Sequence, residues 1–310
     1  MRGTNFTLLN SVILLILSTL FIGTQAEATI ISDALSSFYE IDSKQGEIAI
    51  MWLGNHQKGS LEGYASAGFV IKTSQNIIVI DPSDLLSDDL DSLEKVDAIL
   101  ITHDHGDHFN MDSTIMMQKK TGAYVVANPP AFSVLSEQIS SDKLVKMLPN
   151  NVNTLDGISI TAFLGEHPSE MPLLYVIEVD GFRIFDGSDS AYVDVLKYMD
   201  SEVHIALVPT GDPSPSASPT DAFEMTKATK PYVVIPMHGS PEQMQRFAEM
   251  LEDSELETNV IIPKPLEIII PAEVVPEYPV VATIMIVSFL GMISIIFILK
   301  KNKTVFQVKQ

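Results

Sequence analysis

Four apolar residues, Ala98-Ile99-Leu100-Ile101, run directly into Thr102-His103-Asp104-His105-Gly106-Asp107-His108. A short unbroken apolar run of this kind reads as a buried strand, so the polar cluster is delivered at a strand end and not on a free surface loop. In an extended loop, residues two apart project to the same side, and His103 and His105 can therefore share one cation. Asp107 and His108 follow the Gly106 bend and can face an adjacent second cation. Imidazole and carboxylate donors suit Zn2+, Fe2+ or Mn2+. The chain has no cysteine, which removes thiolate ligands, thiol nucleophiles and disulfides. Any metal must be held by His, Asp and Glu.

Around this motif the chain alternates short β-branched runs with turn residues. Glu47–Leu53, Gly68–Lys72 and Ile77–Ile80 read as strands, the last ending in Asp81-Pro82. Ser83–Lys95 reads as an acidic amphipathic helix with Leu85, Leu86, Leu90 and Leu93 on one side. The second half adds strand-like runs at Ile158–Phe163, Leu174–Val179, Phe182–Phe185, His204–Val208 and Tyr232–Ile235, with Gly181 turning a hairpin. Ser240-Pro241-Glu242-Gln243 has the chemistry of a helix start, with Ser as N-cap, Pro at the first position and Gln at the third. Strands in both halves with helices between them point to two packed sheets with helices outside.

The two ends have a different character. Residues 1–28 show a basic start, an apolar stretch from Leu8 to Ile22 and an Ala26-Glu27-Ala28 cleavage pattern, as in a secretory signal. Val280–Leu299 is an uncharged run long enough to span a bilayer, followed at once by Lys300, Lys301 and Lys303. The organisation expected is therefore a signal over 1–28, a globular domain over 29–272, a stalk over 273–279, a transmembrane helix over 280–299 and a cytoplasmic tail over 300–310. The globular domain would lie outside the cell membrane. The net charge is −21, and four of the nineteen Lys and Arg lie beyond Leu299, so the globular part is more acidic still. Such a surface repels phosphate backbones, which disfavours a nucleic-acid partner.

Thr-His-x-His-x-Asp-His after an apolar strand resembles the signature of the metallo-β-lactamase superfamily. Met51-Trp52-Leu53-Gly54, Gly68-Phe69-Val70-Ile71 and Ile80-Asp81-Pro82 resemble the branch containing the ascorbate-6-phosphate lactonase-like hydrolases. The resemblance implies an α+β fold, an αββα four-layer sandwich with metals at one edge between the sheets. It also implies three later ligands: His167 after a strand, Asp189 in Asp186-Gly187-Ser188-Asp189, and His238 in Ile235-Pro236-Met237-His238. By that resemblance His103, His105 and His167 bind a first metal, Asp107, His108 and His238 a second, and Asp189 bridges both. Ser188 stands where relatives usually carry Gly, which leaves Asp186 as a competitor for the bridging role. Asp107 is the catalytic residue implied, orienting the nucleophile or taking its proton. Asp81 reads equally as a support for the motif loop and as a turn former before Pro82.

Two adjacent cations, most simply Zn2+ with Mn2+ or Fe2+ as alternatives, hold a water between them and lower its pKa towards neutrality. That predicts hydrolysis of a small molecule: an ester, lactone, amide or phosphodiester. Only 48 residues separate Asp189 from His238, too few for the extra domain of RNA-processing relatives. His105 stands where the diiron oxygen-reducing relatives usually carry Glu. The absence of cysteine excludes the β-lactamase subclasses with a Cys ligand. The alternative to an enzyme is a surface binding or structural protein that keeps the fold without catalysis. His204, in an apolar strand, reads as a packed core residue.

Overall fold

Apolar residues occupy consecutive positions in most of the central strands, such as Ala49–Trp52, Ile77–Ile80, Ala98–Ile101 and Ile205–Pro209, which therefore bury both of their faces. A computed structural model of the chain describes residues 30–54, 66–199 and 203–271. The expected signal, stalk, transmembrane helix and tail lie outside these residues. Among the described residues no helix is long and apolar enough to cross a membrane.

The first sheet contains β1 (Ala49–Trp52), β2 (Phe69–Lys72), β3 (Ile77–Ile80), β4 (Ala98–Ile101), β5 (Tyr124–Ala127) and β6 (Leu144–Lys146). The second contains β7 (Val152–Leu155), β8 (Ile158–Leu164), β9 (Leu173–Val179), β10 (Phe182–Asp186), β11 (Ile205–Pro209), β12 (Val233–Met237) and β13 (Asn259–Val260). The last strand, β14 (Ile268–Ile269), returns to the first sheet and pairs with β1. The strand orders are β14-β1-β2-β3-β4-β5-β6 and β13-β12-β11-β10-β9-β8-β7. Each half begins as an antiparallel meander and continues as parallel strands.

Because successive side chains point to opposite faces, one strand feeds two cores. Ile50 and Trp52 of β1 join the core between the sheets, with Phe69, Ile78, Leu100, Tyr175, Ile205 and Ile235. Ala49 and Met51 face the other way. There they pack with Leu35 and Phe38 of α1 (30–40), Met117 of α2 (Met111–Thr121) and Leu135 of α3 (Pro129–Leu135). On the far side of the second sheet, Phe185, Ala206 and Val234 meet Met225 of α4 (Pro219–Thr229) and Phe247 of α5 (Pro241–Glu252). The result is helices, sheet, sheet, helices. Each large side chain buried in these layers contributes about 1.5–3 kcal/mol relative to exposure.

Local chemistry explains where the helices begin. Asn110, Asn128, Ser218 and Ser240 each accept a hydrogen bond from a backbone N–H of the first turn. At α5 the reciprocal bond from the Ser240 N–H to Gln243 completes a capping box. The expected helix over Ser83–Lys95 does not form. That stretch is a series of turns with a single 3-10 turn at Leu90–Ser92. Leu86 and Leu93 still reach the core, but Asp84, Asp88, Asp89 and Asp91 crowd like charges along the run, which weakens a helix there.

The hairpin between β9 and β10 turns through Asp180 and Gly181, with φ of 48° and 86°. Two left-handed residues are what a tight two-residue hairpin requires. The Asp180 carboxylate then leaves its own sheet and accepts hydrogen bonds from the Thr73 hydroxyl, the Gln75 N–H and the Asn76 side chain at 2.5, 3.1 and 3.3 Å. It fastens the second sheet to the β2–β3 turn of the first.

Candidate metal centre

Five strand ends meet at one edge of the sandwich. β4 leads into the motif loop, whose shape is held by Ser83. The Ser83 N–H donates to the His108 carbonyl at 3.0 Å, and its hydroxyl donates to the Gly106 carbonyl at 2.5 Å. β8 leads to His167 and β10 to Asp189, and these two segments are zipped together. Ala191 N–H donates to the Glu166 carbonyl at 3.0 Å, while Glu166 N–H donates to the Ser190 hydroxyl at 2.7 Å. β12 leads to His238, which turns through φ 44°. At the end of β11, the N–H groups of Thr210 and Gly211 both donate to the His238 carbonyl, at 3.0 and 2.8 Å. Gly239 is held so close to Thr210 that a Cβ there would lie 2.0 Å from the hydroxyl.

The side chains converge in two groups. His103, His105, His167 and Asp189 form one, and Asp107, His108 and His238 the other, with candidate ligand atoms in each lying within 4.8 Å of one another. His167 Nε2 lies 3.0 Å from His105 Nδ1 and 3.2 Å from Asp189 Oδ2. In the second group His238 Nε2 is 3.2 Å and His108 Nε2 3.8 Å from Asp107 Oδ2. Asp189 faces both groups. Its Oδ1 is 3.7 Å from His103 Nε2, and its Oδ2 is 3.6 Å from His108 Nε2 and 4.0 Å from His238 Nε2. Asp186 joins neither group. It is buried behind the loop and accepts the Ser188 N–H at 3.1 Å, and burial together with nearby Asp81 pushes its carboxyl up to about 8.

The electrostatics suit a cation. Burial, helped by His108, holds the His103 imidazole neutral with its pKa down to about 2. Burial works against the charge on His108 too, but Asp81 and Asp189 overcome it and raise the ring well above its usual value. For both Asp107 and Asp189 burial is likewise the largest influence, opposing ionisation. Yet the hydrogen bond from His238 and the charge of His108 hold Asp107 well below the ordinary carboxylate range. His108 does the same for Asp189. His103 Nε2, His108 Nε2 and Asp189 Oδ1 are buried without a hydrogen-bond partner. Buried polar atoms cost stability unless something satisfies them, and imidazole nitrogens beside ionised carboxylates are the donors a divalent cation takes. The residues present fit such ions.

Asp81 stands behind the site at the end of β3, with φ 41°. Its Oδ1 accepts the Thr102 N–H at 2.8 Å, and its Oδ2 lies 2.7 Å from His108 Nδ1. A carboxylate on the outer nitrogen of a ligating histidine fixes the tautomer and ring orientation. These contacts match the reading of Asp81 as a support for the motif loop. Thr102 and Ser188 stand out in the sequence, but the parts they play, like that of Ser83, rest on contacts between segments far apart in the chain. His204 lies elsewhere and, contrary to the expectation of a packed core residue, is only partly buried: it accepts the Arg183 N–H at 2.7 Å and stacks against Tyr232, which is itself exposed.

Comparison with known proteins gives the lineage. The beta-lactamase superfamily domain matches residues 60–238, more than half of the chain. The chain belongs to the metallo-β-lactamase superfamily. Within it, the chain is 34% identical over 190 residues to a UPF0173 protein of Pyrococcus abyssi, covering 59% of this chain and 87% of that one. It is 27% identical over 237 residues to a UPF0173 metal-dependent hydrolase of Polynucleobacter asymbioticus, covering 65% of this chain and 78% of that one. Among solved structures, Igni18, a metallo hydrolase of Ignicoccus hospitalis, aligns with a TM-score of 0.60 at 20% identity, covering 72% of this chain and 98% of that one. The metallo-β-lactamase fold protein YhfI of Bacillus subtilis aligns at 0.57 and 14% identity, covering 72% and 99%. At those identities the structures speak for the fold: the metallo-β-lactamase sandwich.

Proposed function

We propose that this metal-dependent hydrolase of the metallo-β-lactamase superfamily works with two divalent cations, zinc foremost. In this reading His103, His105 and His167 hold one, Asp107, His108 and His238 hold the other, and Asp189 bridges them. The observation that carries the reading is Asp189, whose Oδ1 lies 3.7 Å from His103 and whose Oδ2 lies between His167 of the first group at 3.2 Å and His108 of the second at 3.6 Å. Two cations supply an activated water and a Lewis acid for the substrate oxygen. The chain's own contribution to proton handling falls to Asp107. Its side chain is 20% exposed, against 3% for Asp189, so it can meet a water at the mouth of the site. Because its carboxyl is held low it stays ionised, which suits orienting a nucleophile by accepting its hydrogen bond.

The rim narrows the substrate. The loops carrying the two groups (102–110, 165–172, 187–192 and 238–240), with the 210–218 loop that Ser214 fastens to the Asp189 carbonyl, expose Asp104, Glu166, Glu170 and Asp212 and contain no Lys or Arg. An anionic phosphodiester would approach against that charge without a cationic side chain from these loops to receive it. The reading is therefore of a small neutral or cationic ester, lactone or amide. The apolar, lysine-flanked segment 280–299 and the leader-like 1–28 support display outside the cell membrane on a single anchor.

The test is metal content of the purified protein by elemental mass spectrometry after dialysis without chelator, followed by a panel of esters, lactones, amides and phosphodiesters. Two equivalents with turnover of neutral acyl substrates is the expected result. One equivalent or none after metal is added back would overturn the dinuclear reading, and turnover confined to phosphodiesters would overturn the substrate class.

A further inference from the structure

Beneath the two groups the Thr102 hydroxyl makes every hydrogen bond a hydroxyl can make. It donates to Asp81 Oδ2 at 2.5 Å. With its one proton committed there, it accepts from the Ser188 hydroxyl at 2.9 Å and, at 3.1 Å, from His103 Nδ1. That acceptance leaves the Nε2 lone pair of His103 facing the site. The same Asp81 Oδ2 takes the Nδ1 proton of His108, which leaves the Nε2 of His108 facing the site as well. One hydroxyl thus reaches a histidine of each group: His103 Nδ1 at 3.1 Å, and His108 through Asp81, with a longer direct approach of 3.5 Å to His108 Nδ1. Among the described residues, by contrast, Nδ1 of His167 and of His238 is buried with no hydrogen-bond partner. Orientation through the outer nitrogen is concentrated at Thr102.

Ser188 brings the second sheet into this node. It sits one residue before Asp189, at φ 52°, a conformation that strains any residue with a side chain and costs glycine nothing. A strained position persists where surrounding contacts over-determine it. Here the Asp186 carboxylate holds the Ser188 N–H while Thr102 holds its hydroxyl. Glycine would relieve the backbone and lose the link.

We propose that the Thr102–Ser188 hydroxyl pair is a positioning device that couples the Asp189 loop of the second sheet to the ring orientations of His103 and His108 in the first. The inference rests on the metal-centre reading above. Neither hydroxyl need touch the substrate or a metal.

The experiment is a double-mutant cycle on the full-length protein, read by zinc retention in a chelator competition and by long-range 1H–15N spectra of the histidine side chains in the metal-free protein. Thr102→Val should weaken zinc retention about tenfold or more, in the range of lost supporting contacts, and Thr102→Ser should restore most of it. In metal-free protein His103 should carry its proton on Nδ1, and Thr102→Val should turn that into a mixture. Ser188→Ala should weaken retention several-fold when Thr102 is present and not when it is Val. Ser188→Gly should raise the metal-free melting temperature while weakening retention, separating orientation from folding. Unchanged retention and an unchanged His103 tautomer in Thr102→Val would overturn the proposal, as would an equal Ser188→Ala effect in both backgrounds. If the unaltered protein retains no zinc, the metal reading fails instead, and the tautomer spectra still decide the hydroxyl network.

Discussion

Replacing Asp81 by Asn removes one oxygen from a site where both oxygens are in use. The remaining carbonyl can keep the Thr102 N–H, now accepted at 2.8 Å. The amide nitrogen must then face Thr102 Oγ1 and His108 Nδ1, now 2.5 and 2.7 Å from Asp81 Oδ2. Thr102 can rotate to accept. His108 can accept only by moving its proton to Nε2, which turns an N–H toward the metal group. Two hydrogen bonds to a charged partner are altered, each worth about 1.5–3 kcal/mol. Against this, Asp81 is fully buried, and a neutral amide recovers part of the cost of burying its charge. The two effects offset, so the metal-free protein should melt within about 2 kcal/mol of the original. Metal affinity carries the signal. A lost outer-nitrogen partner costs roughly 10–100-fold, or about 1.4–2.7 kcal/mol, borne first by the Asp107–His108–His238 group and, through the redirected Thr102 proton, by His103 as well. Zinc titration against a competing chelator, with circular dichroism melts of the same samples, measures both quantities. Two zinc equivalents at unaltered affinity in Asp81→Asn would refute the claim that Asp81 sets the His108 tautomer.

Three further outcomes follow from other parts of the molecule. His105→Ala and His238→Ala should each lower bound metal by about one equivalent and abolish hydrolysis with the far-ultraviolet spectrum intact; full metal and activity in either variant would remove that residue from the site. Asp89 is buried, and burial, with Asp88 beside it, pushes its carboxyl from 3.8 to about 6. The stability it contributes is complete below its unfolded pKa and lost as pH rises through about 6, so Asp89→Asn should raise the denaturation midpoint at pH 7.5 and make no difference near pH 4. Asp180→Ala removes three acceptor contacts and leaves Ala in a left-handed turn. It should cost about 2–4 kcal/mol by urea denaturation, and Asp180→Asn, which tolerates the turn, should cost clearly less.

The site was legible because its chemistry is compressed into a few residues at strand ends. The motif between His103 and His108, the strand before it and the capping box at Ser240 are local patterns, and each forms where the sequence points. Continuous apolar runs such as Ile77–Ile80 were equally plain, since a strand buried on both faces needs no alternation. Ser83–Lys95 misled because four leucines at helical spacing outweighed, on paper, the acidic residues between them. α4 was hidden in a proline- and serine-rich stretch, although Ser218 and Pro219 are a cap and a first helical residue. Strands of two or three residues, β6, β13 and β14, carry too little pattern to see. Asp186 and Asp189 are alike in the sequence; the fold sets Asp189 among the candidate ligands and Asp186 outside both groups, with Ser188 between them at a positive backbone angle.

The two candidate ligand groups draw His103, His105, Asp107 and His108 from the first sheet's loops and His167, Asp189 and His238 from the second's. At the other turn, Asp180 ties the two sheets without any metal. At the site edge hydrogen bonds also join the sheets, from the Leu173 N–H to the Thr102 carbonyl and from the Ser188 hydroxyl to that of Thr102. A metal held by these groups would add to that closure, so its removal should expose the 165–172 and 187–192 loops to a protease before the Asp180 turn.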